Sequence, residues 1–241
     1  MKYLSTLLLV LSLSSVFAAK PKHQYVKIKT DQGECIIMLY NKTPLHRDNF
    51  VKLVKSGFYN GTLFHRVINT FMIQGGDPDS KNAAPNIELG NGDVGYTIPA
   101  ELSDSLSLFH KKGVLGAARD DNPQMASSGC QFYIVQGKKF TDPQLDTLEK
   151  KRMHFKIPQW QRDIYKNIGG SPHLDRKYTV YGEVVRGLSL VDSVAAVKTG
   201  TNDRPLTNIG MTVTLLKRRE VRKLEKQLRK EEEYNSSILQ K

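Results

Sequence analysis

The sequence has 241 residues, of which 39% are hydrophobic and 25% are charged, a balance that suits one globular domain with accessory segments. Two cysteines are too few for a disulfide framework. The formal charge of +12 allows nucleic-acid or anionic-surface binding. We expect no nucleic-acid partner, because basic residues outside the tail are scattered among acids and no zinc-finger or similar motif occurs.

The first 18 residues predict a secretory signal peptide. Lys2 lies near the start, an apolar run covers residues 7–16, and the expected cut follows Ala18. The alternative is a membrane anchor, but the run is too short to span a bilayer comfortably. We therefore expect an exported protein, periplasmic or secreted, with no stable membrane insertion after the signal is cleaved.

The two cysteines, Cys35 and Cys130, both fall in predicted strands. Free cysteine behaves as a small buried hydrophobe, while an oxidising compartment permits a disulfide. We expect two buried thiols, and the sequence leaves a bridge between them open.

A β-hairpin and a helix are predicted at the start of the domain. The segment 25–40, YVKIKTDQGECIIMLY, alternates on either side of a turn at 31–33. Thr43 is a good N-cap, Pro44 suits the first helical position and Gly57 ends the helix. The apolar residues on one face of this helix are Leu45, Phe50, Leu53 and Val54. We expect that face to lie on the core.

Short strands dominate the rest of the domain, after a loop at 82–96 that is rich in Asn, Gly and Pro. They are predicted at 97–101, 113–119, 131–136, 178–185 and 210–218. Many short strands with Gly-rich turns and only two or three helices favour a closed antiparallel barrel or a sandwich.

Helices are also predicted in three later segments. A helical insert covers 141–172 and an amphipathic helix covers 187–200. The charged helical tail, 218–241, carries a narrow apolar stripe that is too short for a convincing coiled coil. The residues of this stripe are Val221, Leu224 and Leu228. We expect a solvated helix, and the alternative is a segment that docks a partner.

The stretch 63–78, LFHRVINTFMIQGGDP, places Arg66 and Gln74 among β-forming residues. Taken alone, they suit the solvated face of a half-buried sheet. The stretch, however, closely resembles the signature of the cyclophilins, which are peptidyl-prolyl cis/trans isomerases. Further matches follow in the expected order at 43–53, 113–119, 127–134, 178–188 and the final strand. The resemblance covers 25–217 and is closest to the bacterial exported type.

The resemblance implies a fold and a class of substrate. The fold is mainly β, a closed eight-stranded antiparallel barrel over 22–217 that is capped by two helices and carries a proline-binding groove on its outer surface. We expect a monomer that acts on proline-containing polypeptide clients and needs no cofactor or metal.

The resemblance also implies roles for ten residues. Arg66 is the expected catalytic arginine and Gln74 its polar partner. The expected substrate-binding residues are Phe71, Met72 and Tyr133 in the proline pocket, Leu174 on its rim, Tyr178 near the pocket, the groove glutamine Gln131, and the backbone-binding edge Ala118 and Arg119.

Three positions depart from the family pattern. Arg119 stands where many relatives have Asn, His173 stands where eukaryotic relatives have Trp, and Tyr178 replaces a His near the pocket. We expect catalysis to tolerate these changes. Because an indole N–H is a hydrogen-bond donor on a large apolar body, its loss predicts weak cyclosporin binding.

The chemistry explains why an arginine belongs beside a proline pocket. An X-Pro bond rotates slowly because its C–N bond has partial double-bond character, with a barrier of roughly 18–20 kcal/mol. No covalent bond has to break, so neither a nucleophile nor a metal is needed. In the twisted state the proline nitrogen regains a lone pair, and a guanidinium can donate to it a hydrogen bond that the planar ground state accepts poorly.

Two other classes of function compete with an isomerase for exported clients. The first is a chaperone that keeps the groove but turns over poorly, with the insert and the tail gripping clients; the intact Arg66, Phe71, Met72 and Gln74 argue against it. The second is a charge-driven binder of anionic surfaces or nucleic acid, whose binding would weaken steeply with salt.

Overall fold

The computed structural model describes residues 23–85, 87–102 and 108–239. The predicted signal peptide, residues 1–18, lies outside the described residues. Within them, no helix is long and apolar enough to cross a membrane.

Eight antiparallel strands form one large sheet, in which the first and last strands are neighbours. In their order across the sheet, the strands are β10 (Thr212–Leu215), β1 (Gln24–Thr30), β2 (Gly33–Leu39), β9 (Val180–Arg186), β6 (Val114–Ala117), β8 (Phe132–Val135), β4 (Met72–Gly75) and β3 (Phe64–Ile68). Two short strands, β5 (Thr97–Ile98) and β7 (Ser127–Ser128), pair separately. The predicted hairpin is confirmed, because β1 and β2 pair along their whole length up to Thr30 and Gly33.

The sheet is an open half-barrel, which corrects the prediction of a closed barrel. Its two edges are β3 and β10, and no ladder of paired residues joins them in the described chain. The segments beside these edges meet through one bridge, between Leu63 and Gly210, and a few main-chain hydrogen bonds. The main-chain N–H of Val213 donates to the side chain of Asn60 at 3.0 Å. Because a side chain takes this donor, the ladder does not continue across the gap.

The main core lies between the sheet and two helices, α1 (Pro44–Lys55) and α4 (Ser189–Ala195). Apolar residues of both helices and of the strands form one buried cluster, as the apolar faces predict. Its largest fully buried side chains include Phe50, Tyr59, Phe64, Phe132, Ile37 and Leu115.

The first turn of α1 is capped by a residue that is distant in sequence. Thr43 and Pro44 occupy the predicted N-cap and first helical positions, but the Thr43 side chain makes no capping bond. The Glu101 carboxylate instead accepts hydrogen bonds from the main-chain N–H groups of Leu45 at 3.0 Å and His46 at 2.9 Å. A carboxylate satisfies these free amides and favours the helix dipole. Leu45 is 51% exposed, against the prediction, and His46 is buried instead.

The predicted insert folds as α2 (Asp142–Leu148), a π-helical turn (Glu149–Met153) and α3 (Gln159–Asn167). Its apolar side chains form a separate small core, in which Tyr165 packs edge-on against Phe109 with ring centroids 5.5 Å apart. The insert is therefore a packed subdomain attached to the sheet.

The tail forms α5 (Arg218–Leu239). Its predicted apolar stripe is confirmed, and it packs on the face of β1 and β2 that points away from the main core. Val221 and Leu224 are buried there together with Tyr25. The helix is therefore solvated on its charged side, as expected, but it also docks on the hairpin, because this face of β1 and β2 offers apolar side chains that the stripe covers.

The two cysteines are separate buried thiols, as the sequence favours. Burial raises the pKa of Cys35 to about 12 and the pKa of Cys130 to about 11. Both thiols are protonated at neutral pH, so neither acts as a nucleophile.

Candidate active site

The strands β6, β8, β4 and β3 carry an open groove of about 310 Å³. Alternation along the strands separates this groove from the core, because Ile73 and Ile134 point into the core while Met72, Gln74 and Tyr133 point outward. Nine of the ten predicted site residues line the groove: Arg66, Phe71, Met72, Gln74, Ala118, Arg119, Tyr133, Leu174 and Tyr178.

Arg66 is held along one edge and open to the groove along the other. It lies on β3 directly opposite Gln74 on β4. Its Nη1 donates to Gln74 Oε1 at 3.5 Å, and its Nε donates to the Asp203 carboxylate at 3.4 Å. The side chain is 44% exposed. A planar guanidinium fixed in this way keeps donors available for a bound ligand.

Gln131, the tenth predicted residue, supports the groove from below. Gln74 Nε2 donates to Gln131 Oε1 at 3.0 Å, and Gln131 Nε2 donates to the carbonyls of Gly90 and Gly92 at 2.8 Å each. This chain of hydrogen bonds fixes the orientation of both amides. As a result, Gln74 presents its oxygen to Arg66.

Phe71 and Met72 are neighbours in sequence, yet both line the groove. β4 begins at Met72, while Phe71 belongs to the preceding turn, where Thr70 has a φ of 64°. The Phe71 carbonyl accepts hydrogen bonds from the N–H groups of Gln136 at 3.0 Å and Gly137 at 2.9 Å. This turn interrupts the pleat, so the two side chains escape strict alternation.

A buried hydrogen-bond network holds Tyr133 in the groove wall. The Tyr133 hydroxyl donates to His110 Nε2 at 2.8 Å, and His110 Nδ1 donates to Asp175 at 2.9 Å. Tyr165 of α3 donates to the other oxygen of Asp175 at 2.6 Å. Burial holds the pKa of the Tyr133 phenol well above its usual range, so the hydroxyl remains a donor. The insert thus supports the groove from behind.

The insert does not cover the groove. Trp160, which the sequence alone does not place, packs edge-on against Phe109 with ring centroids 5.4 Å apart. No residue of the insert, 141–172, lines the groove. The groove is therefore accessible to an extended chain.

His173 lies where eukaryotic relatives carry Trp. Its ring centroid is 5.3 Å from that of Phe71. Burial and the nearby Arg152 charge lower the pKa of His173 to about 4, so the ring is neutral at neutral pH. The weak binding of cyclosporin expected from this replacement stays a prediction.

Arg119 and Tyr178 form another part of the groove wall. The Arg119 guanidinium lies over the Tyr178 ring, 4.7 Å from its centroid, and its Nε donates to the Lys177 carbonyl at 3.1 Å. Ala118 uses both of its main-chain groups within the chain. The main-chain N–H and C=O of Arg119 form no hydrogen bond with other described residues. Of the two residues predicted to bind the substrate backbone, only Arg119 therefore has main-chain groups that are not already used by other described residues.

Part of the groove was missed by reasoning from the sequence. The loop before β5 contributes Leu89, Gly90 and Asn91, and His65 also lines the groove. Asp203 reaches Arg66 from 137 positions away. Loop residues show no periodicity, so no local signal identified them. The described residues contain no group of His, Cys, Asp and Glu side chains that could hold a metal ion.

Sequence comparisons agree with the motifs. The model of the family described as cyclophilin type peptidyl-prolyl cis-trans isomerase/CLD matches residues 25–215. A Staphylococcus aureus protein assigned as a peptidyl-prolyl cis-trans isomerase is 36% identical over 185 residues, which cover 76% of this chain and 87% of that protein. A Streptococcus pyogenes protein assigned as a bifunctional phosphatase/peptidyl-prolyl cis-trans isomerase is 34% identical over 190 residues, or 76% of this chain and 37% of that protein.

A solved structure shows the same fold. The cyclophilin type peptidyl-prolyl cis-trans isomerase of Cryptosporidium parvum aligns with a TM-score of 0.58 at 21% identity, over 81% of this chain and 98% of that one. A second structure of that protein, in the presence of the dipeptide Ala-Pro, aligns with a TM-score of 0.57 over 80% of this chain and 99% of that one. With the family match over most of its length, the chain belongs to the cyclophilin-type peptidyl-prolyl cis-trans isomerases and is an isomerase.

Proposed function

We propose that this isomerase assists the folding of exported proteins and that Arg66 stabilises the twisted amide of a client X-Pro bond. One observation carries the mechanism. A half-exposed guanidinium lies in the same groove as the ring-sized apolar wall made by Phe71, Met72 and Tyr133. A proline ring bound on that wall brings its nitrogen within reach of Arg66.

The required rate enhancement is moderate. Uncatalysed X-Pro rotation takes about 10–100 s at 25 °C. Reaching milliseconds means lowering the barrier by on the order of 6 kcal/mol. A charge-assisted hydrogen bond that forms only in the twisted state, together with immobilisation of the ring, accounts for a stabilisation of this size.

The hydrogen bonds behind Arg66 lower the cost of catalysis further. Gln74 is oriented by Gln131, which is itself fixed by two main-chain carbonyls. A donor that is already oriented needs no reorganisation when charge develops on the proline nitrogen. The roles of Gln74 and Gln131 in the mechanism are therefore to position the guanidinium.

The client class and the cellular location rest on different support. The relative that was crystallised in the presence of Ala-Pro supports proline-containing polypeptides as clients. The apolar run at residues 7–16 supports export. N-terminal sequencing of the protein from fractionated cells tests export: a mature chain that begins after Ala18 is expected, and an uncut chain in the cytoplasm would contradict it.

The test of the mechanism is the cis/trans exchange rate of a short X-Pro peptide, measured by NMR with matched variants. Arg66→Ala removes the guanidinium and is expected to lower kcat/KM by roughly 100-fold or more. Arg66→Lys keeps the charge without the planar fork and is expected to recover only part of the loss. Arg222→Ala, an exposed arginine on α5, is the control and is expected to match wild type. Wild-type exchange in folded Arg66→Ala would overturn the mechanism.

A further inference from the structure

A second cavity, of about 280 Å³, lies beside the groove. We call it the side cavity; it is lined by His65, by residues 87–89 and by residues 200–202 and 204–206. His65 and Leu89 line both the side cavity and the groove. These two residues therefore form a shared wall between the two spaces.

Two buried polar side chains line the side cavity and lack some of their hydrogen-bond partners among the described residues. His65 is only 3% exposed, and neither of its ring nitrogens has a hydrogen-bond partner in the described chain. Arg204 is 9% exposed; its Nη2 donates to Asn208 at 2.9 Å and to the Ala84 carbonyl at 3.3 Å, while its buried Nη1 has no partner among the described residues. A buried donor without an acceptor is costly, and a buried charge without a counter-charge more so.

Among the described residues that line the side cavity, Arg204 carries a positive charge and Glu88 a negative one. Arg204 forms no ion pair with a described carboxylate, and its Nη1 has no hydrogen-bond partner among the described residues. Glu88 accepts a hydrogen bond from Asn202 at 3.3 Å, and Asp203 accepts one from Arg66 at 3.4 Å, so both carboxylates are bound to other side chains. Burial lowers the pKa of His65 to about 4, so its ring is neutral at neutral pH. Buried Asp77 near His65 is already bound by two main-chain N–H groups.

The mouth of the side cavity suits the stem of an amino-acid side chain. Ile87 is 53% exposed and Leu206 is 60% exposed, so an apolar rim surrounds the polar floor. Arg204 and the neutral imidazole of His65 lie beneath this rim, with their unpartnered nitrogens buried. A carboxylate needs no more than these donors, whereas a phosphoryl dianion, with three strong acceptor oxygens, is served by a cluster of charged donors.

We propose that the side cavity binds the carboxylate of an acidic residue, Glu or Asp, that lies within two residues of the client proline. One or two extended residues span about 3.3–7 Å, enough to cross a wall one side chain thick. The inference rests on the proposed function, because the groove must hold the proline whose neighbour enters the side cavity. It gives the enzyme a preference for acidic sequences around proline.

The experiment compares peptides that differ only in charge. Amidated Ala-based X-Pro peptides carry Glu or Gln at each of the two positions before and after the proline, and exchange rates and Kd are measured for each. At one of these positions, the Glu peptide is expected to have a kcat/KM about fivefold higher and a Kd about fivefold lower than the Gln peptide, as for a charge-assisted hydrogen bond. A neutral peptide with a free C-terminus tests whether a terminal carboxylate binds instead; a gain there without any Glu gain would overturn the proposal.

Two pairs of variants test whether the ratio between the Glu and Gln peptides arises in the side cavity. Arg204→Gln is expected to bring the Glu/Gln ratio to about one, while Arg222→Gln, the same chemical change on exposed α5, is expected to keep it. Because Arg204 also holds main-chain and side-chain acceptors, the exposed rim gives a second pair that does not disturb the fold. Leu206→Glu is expected to lower the ratio by repulsion, and Leu206→Gln to preserve it.

The outcomes separate this proposal from the proposed function. A wild-type ratio of one at all four positions, or a ratio that persists in folded Arg204→Gln or Leu206→Glu, would overturn the side-cavity site even if Arg66-dependent exchange is observed. If instead no peptide is isomerised but the Glu peptide binds more tightly through Arg204, the proposed mechanism fails and the site stands.

Discussion

The groove and the side cavity share His65, but their arginines differ in burial and in hydrogen bonding. Arg66 in the groove is half-exposed and held by Gln74 and Asp203. Arg204 in the side cavity is buried and leaves one nitrogen without a partner in the described structure. A guanidinium that stabilises a transition state acts best when the protein already holds it in place. A buried guanidinium that lacks a hydrogen-bond partner indicates instead a place where a ligand supplies that partner.

The largest expected effect on stability comes from a substitution in the groove alone. Gly116 lies opposite Tyr133 on the neighbouring strand, and a Cβ added there would lie 2.3 Å from Tyr133 Cζ. Because the ring is anchored by His110, Gly116→Ala is expected to lower the free energy of unfolding by about 3 kcal/mol. Activity should fall at least tenfold with it, since the displaced ring is a wall of the groove.

Urea unfolding and peptide exchange measure this prediction, with Gly210→Ala as the matched control. A Cβ added at Gly210 meets only Leu63, at an ordinary 3.9 Å. Wild-type stability and activity in Gly116→Ala would show that Tyr133 is not confined as described. The Glu/Gln ratio of the residual activity is expected to survive, because the side cavity is untouched.

A smaller effect concerns the shared wall and depends on pH. The pKa of His65 is lowered to about 4, mainly by burial, from 6.5 in the unfolded chain. Between these values the unfolded state binds more protons, so stability is complete above about pH 6.5 and is lost as the pH falls toward 4. His65 alone is expected to cost about 2 kcal/mol of unfolding free energy between pH 7 and pH 5.

Urea unfolding at several pH values checks this expectation. His65→Asn removes the titrating group, so its stability should change less between pH 7 and pH 5 than that of the wild type. Equal slopes for the two proteins would place the acid sensitivity elsewhere, for example at His173, whose pKa is also lowered to about 4.

The smallest effect concerns the ion pair between Arg66 and Asp203. Asp203 orients the Nε edge of Arg66 across a largely exposed 3.4 Å contact. Asp203→Asn is expected to reduce kcat about threefold, because exposed ion pairs contribute little and the guanidinium keeps Gln74. High salt should lower the kcat of the wild type by a similar factor and should not lower the kcat of Asp203→Asn further. A kcat unchanged by both the substitution and salt would show that the ion pair does not position Arg66.

Much of the architecture was readable in the sequence because it depends on local patterns. The hairpin, α1 with Pro44 at its start, and the insert follow from alternation, capping and proline placement. The nine groove residues followed from the signature and its ordered matches. By contrast, Glu101 capping α1 and Asp203 meeting Arg66 join distant parts of the chain. No local pattern encodes such contacts.

The remaining errors have a common physical origin. The barrel would close if the edge strands β3 and β10 formed a continuous ladder of main-chain hydrogen bonds. Here the side chain of Asn60 instead accepts the hydrogen bond of a main-chain N–H of β10. The docking of α5 depends on an apolar face of β1 and β2 that the sequence shows only as one half of an alternating strand. The side cavity arises where two loops meet over His65. Each feature depends on three-dimensional proximity rather than on periodicity.

The pairing of β10 with β1 has a consequence for biosynthesis. The first strand acquires its outer neighbour only after residues 212–215 have been made, and its other face is covered only when α5 arrives. A nascent chain that ends before residue 212 therefore has an unpaired edge on β1 and an uncovered apolar patch. The β1 strand is therefore completed late, once residues 212–228 have been synthesised. The β1 strand is thus among the first parts of the domain to be synthesised and among the last to be covered.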